Sequence, residues 1–336
     1  ELSMDNIVKL SSKERQELFT ETAARKNMTA AIIEKDFWVT WTLYKMFSNE
    51  TLSKLLVFKG GTSLSKVYGL IERFSEDIDL ILDWRVVTDE NPNATRGKKK
   101  QERLNKDINN EAKEYIATAL LALIKNSVGD VCSCAVDEKD GFVINVNYPA
   151  AYNDAYLRPE VRLEIGPLAS WLPSKENAIQ SYVADEFGNL FDVKSCQIPT
   201  ILAQRTFWEK ATILHHEANR PEGSIQPARY SRHYYDLVMM ATSNVKNIAL
   251  ADLELLKEVV EFKKKFYARS WADYDSAANG HLKLIPKEEV YMVVKDDYKA
   301  MRNMIFGKYP EFDEIMEILR KLEIEINKLT SMSIHQ

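Results

Sequence analysis

Several features are scarce in this sequence, and each shortage excludes a class of protein. The 336 residues contain three cysteines, too few for a disulfide scaffold and typical of a reducing compartment. Cys132 and Cys134 have no second ligand pair, so we interpret them as structural and not as a zinc site. No apolar run approaches the roughly 18 residues that a membrane span needs, and the first residues lack the apolar core of a secretory signal. We therefore expect a cytoplasmic protein that has no membrane partner.

Charge of one sign is not in large excess either. Lysine and arginine number 45 against 50 aspartate and glutamate, which gives a formal net charge of −5. This balance excludes a protein that binds polyanions over its whole surface, so a nucleic acid would need a local basic patch. With 45% hydrophobic residues and no internal repeat or low-complexity segment, the chain is typical of a globular protein of one large or two ordinary domains.

The segment 55–82 carries most of the functional signal. An apolar run ends at Gly60-Gly61, a short helix is predicted next, and a second apolar run carries Asp77 and Asp79. The glycines allow the backbone to approach a phosphate closely, and a new helix N-terminus offers unpaired N–H groups to an anion. Asp77 and Asp79 are two positions apart on a predicted strand, so both carboxylates point to one face and form a site suited to Mg²⁺.

The triplet Asp77-x-Asp79 alone is weak evidence. Acidic residues occupy 50 of 336 positions, so roughly seven such triplets arise by chance, and the ordinary interpretation is a solvated strand end. Two observations favour a site. Gly-Gly-Thr-Ser lies upstream at 60–63, behind an apolar strand, and both acids sit among isoleucines and leucines. Carboxylates so placed repel each other unless a cation lies between them.

These residues resemble a known family. GGTSLSK (60–66) followed by RFSEDIDL (73–80) is similar to the first motif of the AbiEii/AbiGii-type toxins, a branch of the DNA polymerase β-like nucleotidyltransferase superfamily. The stretch IEKDFWVTWTL (33–43) resembles the leader of many family members. Three later stretches resemble the second, third and fourth motifs of the family. In chain order they are EVRLEIG (160–166), LAQRTFWEKATIL (202–214) and RYSRHYYDLVMM (229–240).

The resemblance implies a nucleotidyltransferase with a divalent metal site. Its metal ligands would be Asp77, Asp79 and Glu164, with Mg²⁺ or Mn²⁺ as the cofactor and a nucleoside triphosphate as the substrate. Lys210 and Asp236 complete the implied catalytic set. The residues implied in nucleotide binding are Gly60, Gly61, Thr62, Ser63, Lys66, Arg73, Ser75 and Lys210.

The match is incomplete and leaves two classes of function. Glu164 stands where the family more often has Asp, Tyr234-Tyr235 replace a usual Lys-Asp pair, and residues 250–336 match no motif. The first class is a toxin that transfers a nucleotide to an acceptor, expected to be tRNA or another RNA, and that has a cognate antitoxin. The alternative is a nucleotide-binding regulatory or interaction protein without transfer activity. A third acid favours the enzyme, because a binding pocket has less need of it.

We expect an α+β fold, with a nucleotidyltransferase-like mixed sheet and helices in residues 1–195 and a helical domain in residues 196–336 that closes the active-site cleft. Ser11 or its neighbour and Thr29 are predicted N-caps of two long helices. The polar residues 88–103 predict a mobile loop. The other predicted elements are a helix over 102–126, strands over 131–137, 142–148 and 160–166 with a hairpin at Lys139-Asp140-Gly141, and helices around 253–262, after Pro286 and over 311–329.

For several of these side chains the sequence also allows a structural role in place of a functional one. These are an ion pair of Arg73 with Glu76 or Asp77, an exposed Lys66, a snorkelling Lys210, and a helix ion pair of Asp236 with Arg232. His215-His216-Glu217 resembles a metal site, but adjacent positions do not share a helix face, so we expect it to be solvated. The tyrosines of residues 230–235 are expected in the core or at its rim and not as a base-stacking platform.

A basic stretch offers the local patch that RNA would need. It contains Arg96, Lys98, Lys99, Lys100, Arg103 and Lys106. These residues lie in or just after the loop that leaves the Asp79 strand, so RNA bound there would be near the mouth of the site. The alternative is a solvated loop without a ligand.

Overall fold

The chain divides into two compact units. The computed structural model describes residues 4–75, 77–154 and 157–333. Unit 1 consists of Glu1–Val67 and Phe74–Ile201, and unit 2 consists of Tyr68–Arg73 and Leu202–Gln336. Within the described ranges, no helix combines the length and the apolar character that a membrane crossing needs.

Unit 1 is a mixed sheet with helices. Its helices are α1 (Asp5–Val8), α2 (Ser12–Lys26), α3 (Ala30–Phe47), α4 (Glu50–Leu55), α5 (Gly60–Lys66), α6 (Lys98–Tyr115), α7 (Leu121–Val128) and α8 (Tyr182–Phe187). Its strands are β1 (Leu56–Lys59), β2 (Asp77–Leu82), β3 (Ser133–Val136), β4 (Val143–Asn147), β5 (Glu160–Gly166), β6 (Ser174–Gln180) and β7 (Ser195–Ile201). This architecture confirms the predicted α+β class.

The first long helices begin at the predicted caps. The Ser11 hydroxyl accepts a hydrogen bond from the Glu14 N–H, and the Glu14 carboxylate accepts one from the Ser11 N–H, which together form a capping box. The Thr29 hydroxyl accepts a hydrogen bond from the Ile32 N–H at the start of α3. Every side chain of α3 from Ile32 to Leu43 is buried. A helix buried on all faces lies inside the core, and α3 has this position in unit 1.

The strands pair in the order β3-β4-β5-β2-β1-β7-β6 within the described residues. β2 lies at the centre, antiparallel to β1 and parallel to β5. The predicted hairpin at Lys139-Asp140-Gly141 joins the antiparallel strands β3 and β4, and the predicted strand at β5 is also present. The sequence does not predict β6 and β7, because β6 is mostly polar and Pro199 interrupts the β pattern of β7.

Residues 98–103 belong to a helix and not to the loop that the sequence predicts for residues 88–103. α6 begins at Lys98, so all the basic residues of the stretch except Arg96 lie on a helix. The Arg96 guanidinium fastens the preceding turn by donating to two backbone carbonyls and to the Gln101 side chain. A π-helical turn, Ile116–Leu120, connects α6 to α7. The prediction fails because the first turn of α6 contains no apolar residue that would reveal a helical period.

Unit 2 is helical. Its helices are α9 (Ala203–Ala218), α10 (Ser231–Ala241), α11 (Val245–Leu250), α12 (Leu253–Phe266), α13 (Glu288–Ala300) and α14 (Phe312–Ser333). α12, α13 and α14 confirm the three helices predicted for the last part of the chain. Tyr234 and Tyr235 are buried, as predicted for core residues.

The segment Tyr68–Arg73 belongs to unit 2 although unit 1 precedes and follows it in the chain. The Glu72 N–H donates to the Tyr235 hydroxyl at 3.1 Å, and the Glu72 carbonyl accepts from the Phe306 N–H at 2.9 Å. Arg73 forms an isolated antiparallel bridge with Ile305. The chain therefore leaves unit 1 after α5, contributes this segment to unit 2, and returns before β2.

Candidate active site

A glycine turn joins β1 to α5 and lies against β2. Gly60 has a φ of +84°, a conformation that residues with a side chain rarely adopt. A Cβ atom on Gly60 would lie 2.0 Å from the Asp79 Oδ2 atom. Only glycine meets both requirements, so the turn and the Asp79 carboxylate are in direct contact. Gly61, the next residue of α5, is buried.

Hydroxyl groups hold this turn against β2. Thr62 Oγ1 donates to the Asp77 carbonyl at 2.7 Å, and Ser63 Oγ donates to the Gly60 carbonyl at 2.7 Å. Ser75 Oγ donates to the same Asp77 carbonyl at 3.4 Å. The hydroxyl protons of these predicted nucleotide-binding residues are therefore used within the protein, and the Thr62 bond fixes α5 relative to β2.

Lys66 lies at the end of α5 and contacts α3. Its ammonium forms an ion pair with Asp36 at 2.6 Å, and the two side chains are only 6% and 5% exposed. Asp36 also accepts a hydrogen bond from the Tyr182 N–H at 2.7 Å. The alternative of a solvent-facing Lys66 is wrong, because a buried carboxylate on α3 binds the ammonium and fastens α5.

Three carboxylates meet on the central strands. Asp77 and Asp79 flank the buried Ile78 on β2, so the two aspartates share one face of the sheet while Ile78 packs into the core on the other. The parallel register of β2 and β5 places Asp79 opposite Glu164 and Asp77 opposite Arg162. The fold thus brings together the three acids that the motif resemblance selects as metal ligands.

The close approach of these acids changes the protonation of Glu164. Burial and the neighbouring carboxylates of Asp79 and Asp77 raise the pKa of Glu164 to about 8. The protonated form of Glu164 is therefore favoured relative to a solvated glutamate. A cation among the three carboxylates would favour the ionised form instead.

Arg162 links the three acids to the β3–β4 hairpin. Its Nε donates to Asp77 Oδ1 at 3.2 Å, and its Nη1 donates to Asp137 Oδ1 at 3.1 Å. The Asn145 amide, the backbone N–H groups of the hairpin turn and the Arg162 guanidinium lower the pKa of Asp137 to about 2. Sequence reasoning missed Asp137, because its position beside Arg162 follows from strand register and not from a local pattern.

The donor set fits a divalent metal ion in its chemistry. Asp77, Asp79 and Glu164 offer carboxylate oxygens, the hard donors that Mg²⁺ and Mn²⁺ prefer. As the side chains stand, Asp77 is bonded to Arg162, and Glu164 lies opposite Asp79 in the strand register. Throughout the described part of the chain, no group of three or more histidine, cysteine, aspartate or glutamate side chains is arranged around a metal position. A cation would have to replace these contacts.

Unit 2 contains a separate buried charge cluster. Arg73 binds Asp236 with both Nε and Nη2, at 2.6 and 2.8 Å, and Lys210 Nζ lies 3.0 Å from Asp236 Oδ2. Burial would raise the pKa of Asp236, but Arg73 and Lys210 outweigh burial and lower it to about 2. Lys210 also donates to His233 Nδ1 at 3.0 Å. Sequence reasoning missed His233, although its spacing of three residues from Asp236 puts both on one face of α10.

These contacts differ from the structural roles that the sequence allowed for Asp236, Lys210 and Arg73. Asp236 pairs with Arg73 and Lys210 in place of the expected helix pair with Arg232. Lys210 is 7% exposed and bonds to buried partners, so it does not snorkel to solvent. Arg73 pairs with Asp236, whereas Glu76 lies outside the described residues.

His215-His216-Glu217 is buried at the end of α9, which corrects the prediction of a solvated stretch. His215 Nδ1 accepts from the Lys283 N–H at 3.0 Å, and its Nε2 donates to the Asp273 carbonyl at 2.7 Å. His216 Nε2 donates to the Glu217 carboxylate at 2.9 Å. Burial lowers the pKa of both histidines. The prediction fails because the covering residues come from a later part of the chain.

Comparison with known proteins identifies a family model that covers most of the chain. The model, described as the nucleotidyl transferase AbiEii toxin of a type IV toxin–antitoxin system, matches residues 41–318. Among solved structures, MenT4, a nucleotidyltransferase toxin from Mycobacterium tuberculosis H37Rv, is 18% identical, with 94% of this chain and 98% of that chain covered and a TM-score of 0.41. JHP933 from Helicobacter pylori is 17% identical, with 87% and 94% covered and a TM-score of 0.35. No curated protein matches.

Proposed function

The chain belongs to the AbiEii nucleotidyl transferase toxin family, and on this premise we propose that it transfers a nucleotide from a nucleoside triphosphate to RNA, with tRNA as the expected acceptor and Mg²⁺ or Mn²⁺ as the cofactor. The family assignment confirms the resemblance to this family and makes the protein a nucleotidyltransferase toxin of a toxin–antitoxin system. The metal and the RNA acceptor are the parts that we propose.

The position of Asp79 is the observation that carries the proposal. Its carboxylate touches the Gly60 turn on one side and lies opposite Glu164 on the other. A triphosphate against the glycine backbone and a cation between the carboxylates would therefore be neighbours. Nucleotidyl transfer requires this arrangement, because charge develops on phosphoryl oxygens and must be neutralised where it develops.

The acids of this site have distinct tasks in the proposed reaction. When bound, the cation would neutralise triphosphate charge. The acceptor hydroxyl would attack the α-phosphorus in line, the α–β phosphoanhydride bond would break with pyrophosphate leaving, and the hydroxyl proton would pass to solvent. Asp77 and Asp79 would hold the cation from β2, and Glu164 would complete the ligand set from β5, nearest to the acceptor. Because a ligating carboxylate must be ionised, a bound cation would favour the charged form of Glu164 against the effect of burial.

The basic first turn of α6 supports RNA as the acceptor. Lys98, Lys99 and Lys100 are all exposed and occupy the N-terminal end of the helix. The helix dipole favours anions and disfavours cations at that end, so these three charges do not help the helix to fold. Their position is better explained by a bound polyanion, since RNA needs a local basic patch on an acidic protein.

Replacing Lys98, Lys99 and Lys100 with glutamine tests this surface. We expect RNA affinity to fall about tenfold or more and its salt dependence to flatten, because up to three phosphate contacts are lost. Triphosphate binding and melting temperature should not fall. The matched control replaces Lys263, Lys264 and Lys265 in the last turn of α12, which removes the same charge elsewhere. Unchanged RNA affinity across a salt series, or an equal loss in the control, would contradict a role for α6.

The acceptor is identified by labelling. The protein is incubated with Mg²⁺, each labelled triphosphate in turn, and total RNA, beside an Asp79→Asn variant of equal melting temperature. Label on an RNA species in the wild-type reaction alone is the expected result. Pyrophosphate release without labelled RNA would contradict the RNA acceptor and indicate a protein or small-molecule acceptor.

A further inference from the structure

Arg162 is shared between two carboxylates on the sheet face that carries the candidate site. The β2–β5 register places it opposite Asp77, and its Nε lies 3.2 Å from Asp77 Oδ1. Its Nη1 lies 3.1 Å from Asp137 Oδ1 at the end of the neighbouring hairpin. The Arg162 side chain is 22% exposed, so these two carboxylates largely determine its position.

The two carboxylates that bind Arg162 differ in their exposure and in their other contacts. Asp137 is 15% exposed and also accepts hydrogen bonds from the Asn145 amide and from two N–H groups of its own turn, at 2.9 to 3.1 Å. The Asp77 side chain is 40% exposed. Asp137 is therefore held in place by groups other than Arg162, whereas the Asp77 carboxylate is the more exposed of the two and lies beside Glu164.

From this geometry we propose that Arg162 is a positioning residue that takes the place of the metal ion on Asp77, and that it stays with Asp137 when the ion binds. A guanidinium and a divalent cation compete for the same Asp77 oxygen, because each satisfies the carboxylate charge. Asp137 keeps the displaced guanidinium paired, so the arginine need not leave the protein interior. The inference rests on the proposed metal site and adds a residue outside its ligand set.

The proposal predicts that substitutions of Arg162 and of Asp137 change the affinity for the metal ion in opposite directions. Arg162→Gln removes the competitor, so the affinity for the ion should rise. Asp137→Asn removes the fixed partner and leaves Arg162 to Asp77 alone, so the affinity should fall. We expect about a tenfold change in Kd in each direction, equivalent to one moderate charge interaction. Arg162→Lys, which keeps the charge but cannot bond both carboxylates in the same fork, should lie between Arg162→Gln and wild type.

The experiment measures Mn²⁺ binding to the full chain without nucleotide, from the electron paramagnetic resonance signal of the free ion. Lys139→Gln is the matched control, because it removes one exposed positive charge from the same hairpin. Melting curves confirm that each variant is folded.

The outcomes separate this inference from the proposed function. If Asp79→Asn abolishes Mn²⁺ binding but Arg162→Gln and Asp137→Asn shift Kd in the same direction or not at all, the competition is wrong and the metal site stands. A gain from Arg162→Gln no larger than that from Lys139→Gln would also overturn it. If the wild type does not bind Mn²⁺, or if Asp79→Asn binds it equally well, the metal site and this inference both fail.

Discussion

At the residue scale, Gly60 illustrates how one residue type fixes a functional side chain. Gly60 and Gly69 both have positive φ, +84° and +59°, so alanine at either position costs roughly 1–2 kcal/mol of backbone strain. At Gly60 the new Cβ would also meet Asp79 Oδ2, whereas nothing lies within 4 Å of a Cβ at Gly69. We expect Gly60→Ala to abolish nucleotide transfer and Gly69→Ala only to lower the melting temperature. Equal transfer per folded molecule would contradict this role of the turn.

Asp236 is a second decisive residue, because it lies between two buried cations. Asp236→Ala would leave Arg73 and Lys210 in the interior without this carboxylate. We expect the free energy of unfolding to fall by about 3–5 kcal/mol in urea titrations. The control is Glu254→Ala, whose ion pair with Lys257 is exposed and contributes less than about 1 kcal/mol. A similar small loss for Asp236→Ala would show that the cluster does not stabilise unit 2.

At the element scale, the end of α9 should make stability depend on pH. Burial lowers the pKa of His215, whose ring lies among Asp273, Lys283 and His216. The unfolded chain therefore binds the proton more readily than the folded chain, so stability present above about pH 6.5 is lost as the pH falls.

Unfolding titrations between pH 8 and pH 5 measure this loss. His215→Gln should be less stable than wild type at pH 8 but should show a flatter pH dependence. The matched control is His281→Gln, which replaces an exposed histidine and should leave the wild-type slope unchanged. An unchanged slope in His215→Gln would contradict the assignment.

At the scale of the whole molecule, sequence reasoning succeeds where the signal is local. Caps predict α2 and α3, turn residues predict the β3–β4 hairpin, and alternation of apolar and charged residues predicts β5. It fails where the partner is distant. Arg73 and Asp236 are 163 positions apart, and Arg162 and Asp137 are 25 apart. Pairings of this kind follow from tertiary contacts, so they cannot be read from residue order. The three acids are predicted because a family motif carries that information.

The toxin assignment predicts an effect on the cell. Expression of the wild type in the native host without the antitoxin should arrest growth, and expression of Asp79→Ala to the same level should not. The measurement is colony formation after induction, with protein amounts compared by immunoblot. Equal growth of both strains would contradict toxicity through this site and would leave the biochemical activity to be judged separately.

The most direct measurement of the central claim is the rate of nucleotide transfer as a function of Mg²⁺ concentration, for the wild type and for Asp79→Asn of equal melting temperature. The account predicts that the wild-type rate rises with Mg²⁺ and vanishes in EDTA, and that Asp79→Asn is slower by at least about 100-fold. A wild-type rate that persists in EDTA, or an Asp79→Asn variant with the wild-type rate and the same Mg²⁺ dependence, would contradict the claim that these carboxylates carry the reaction.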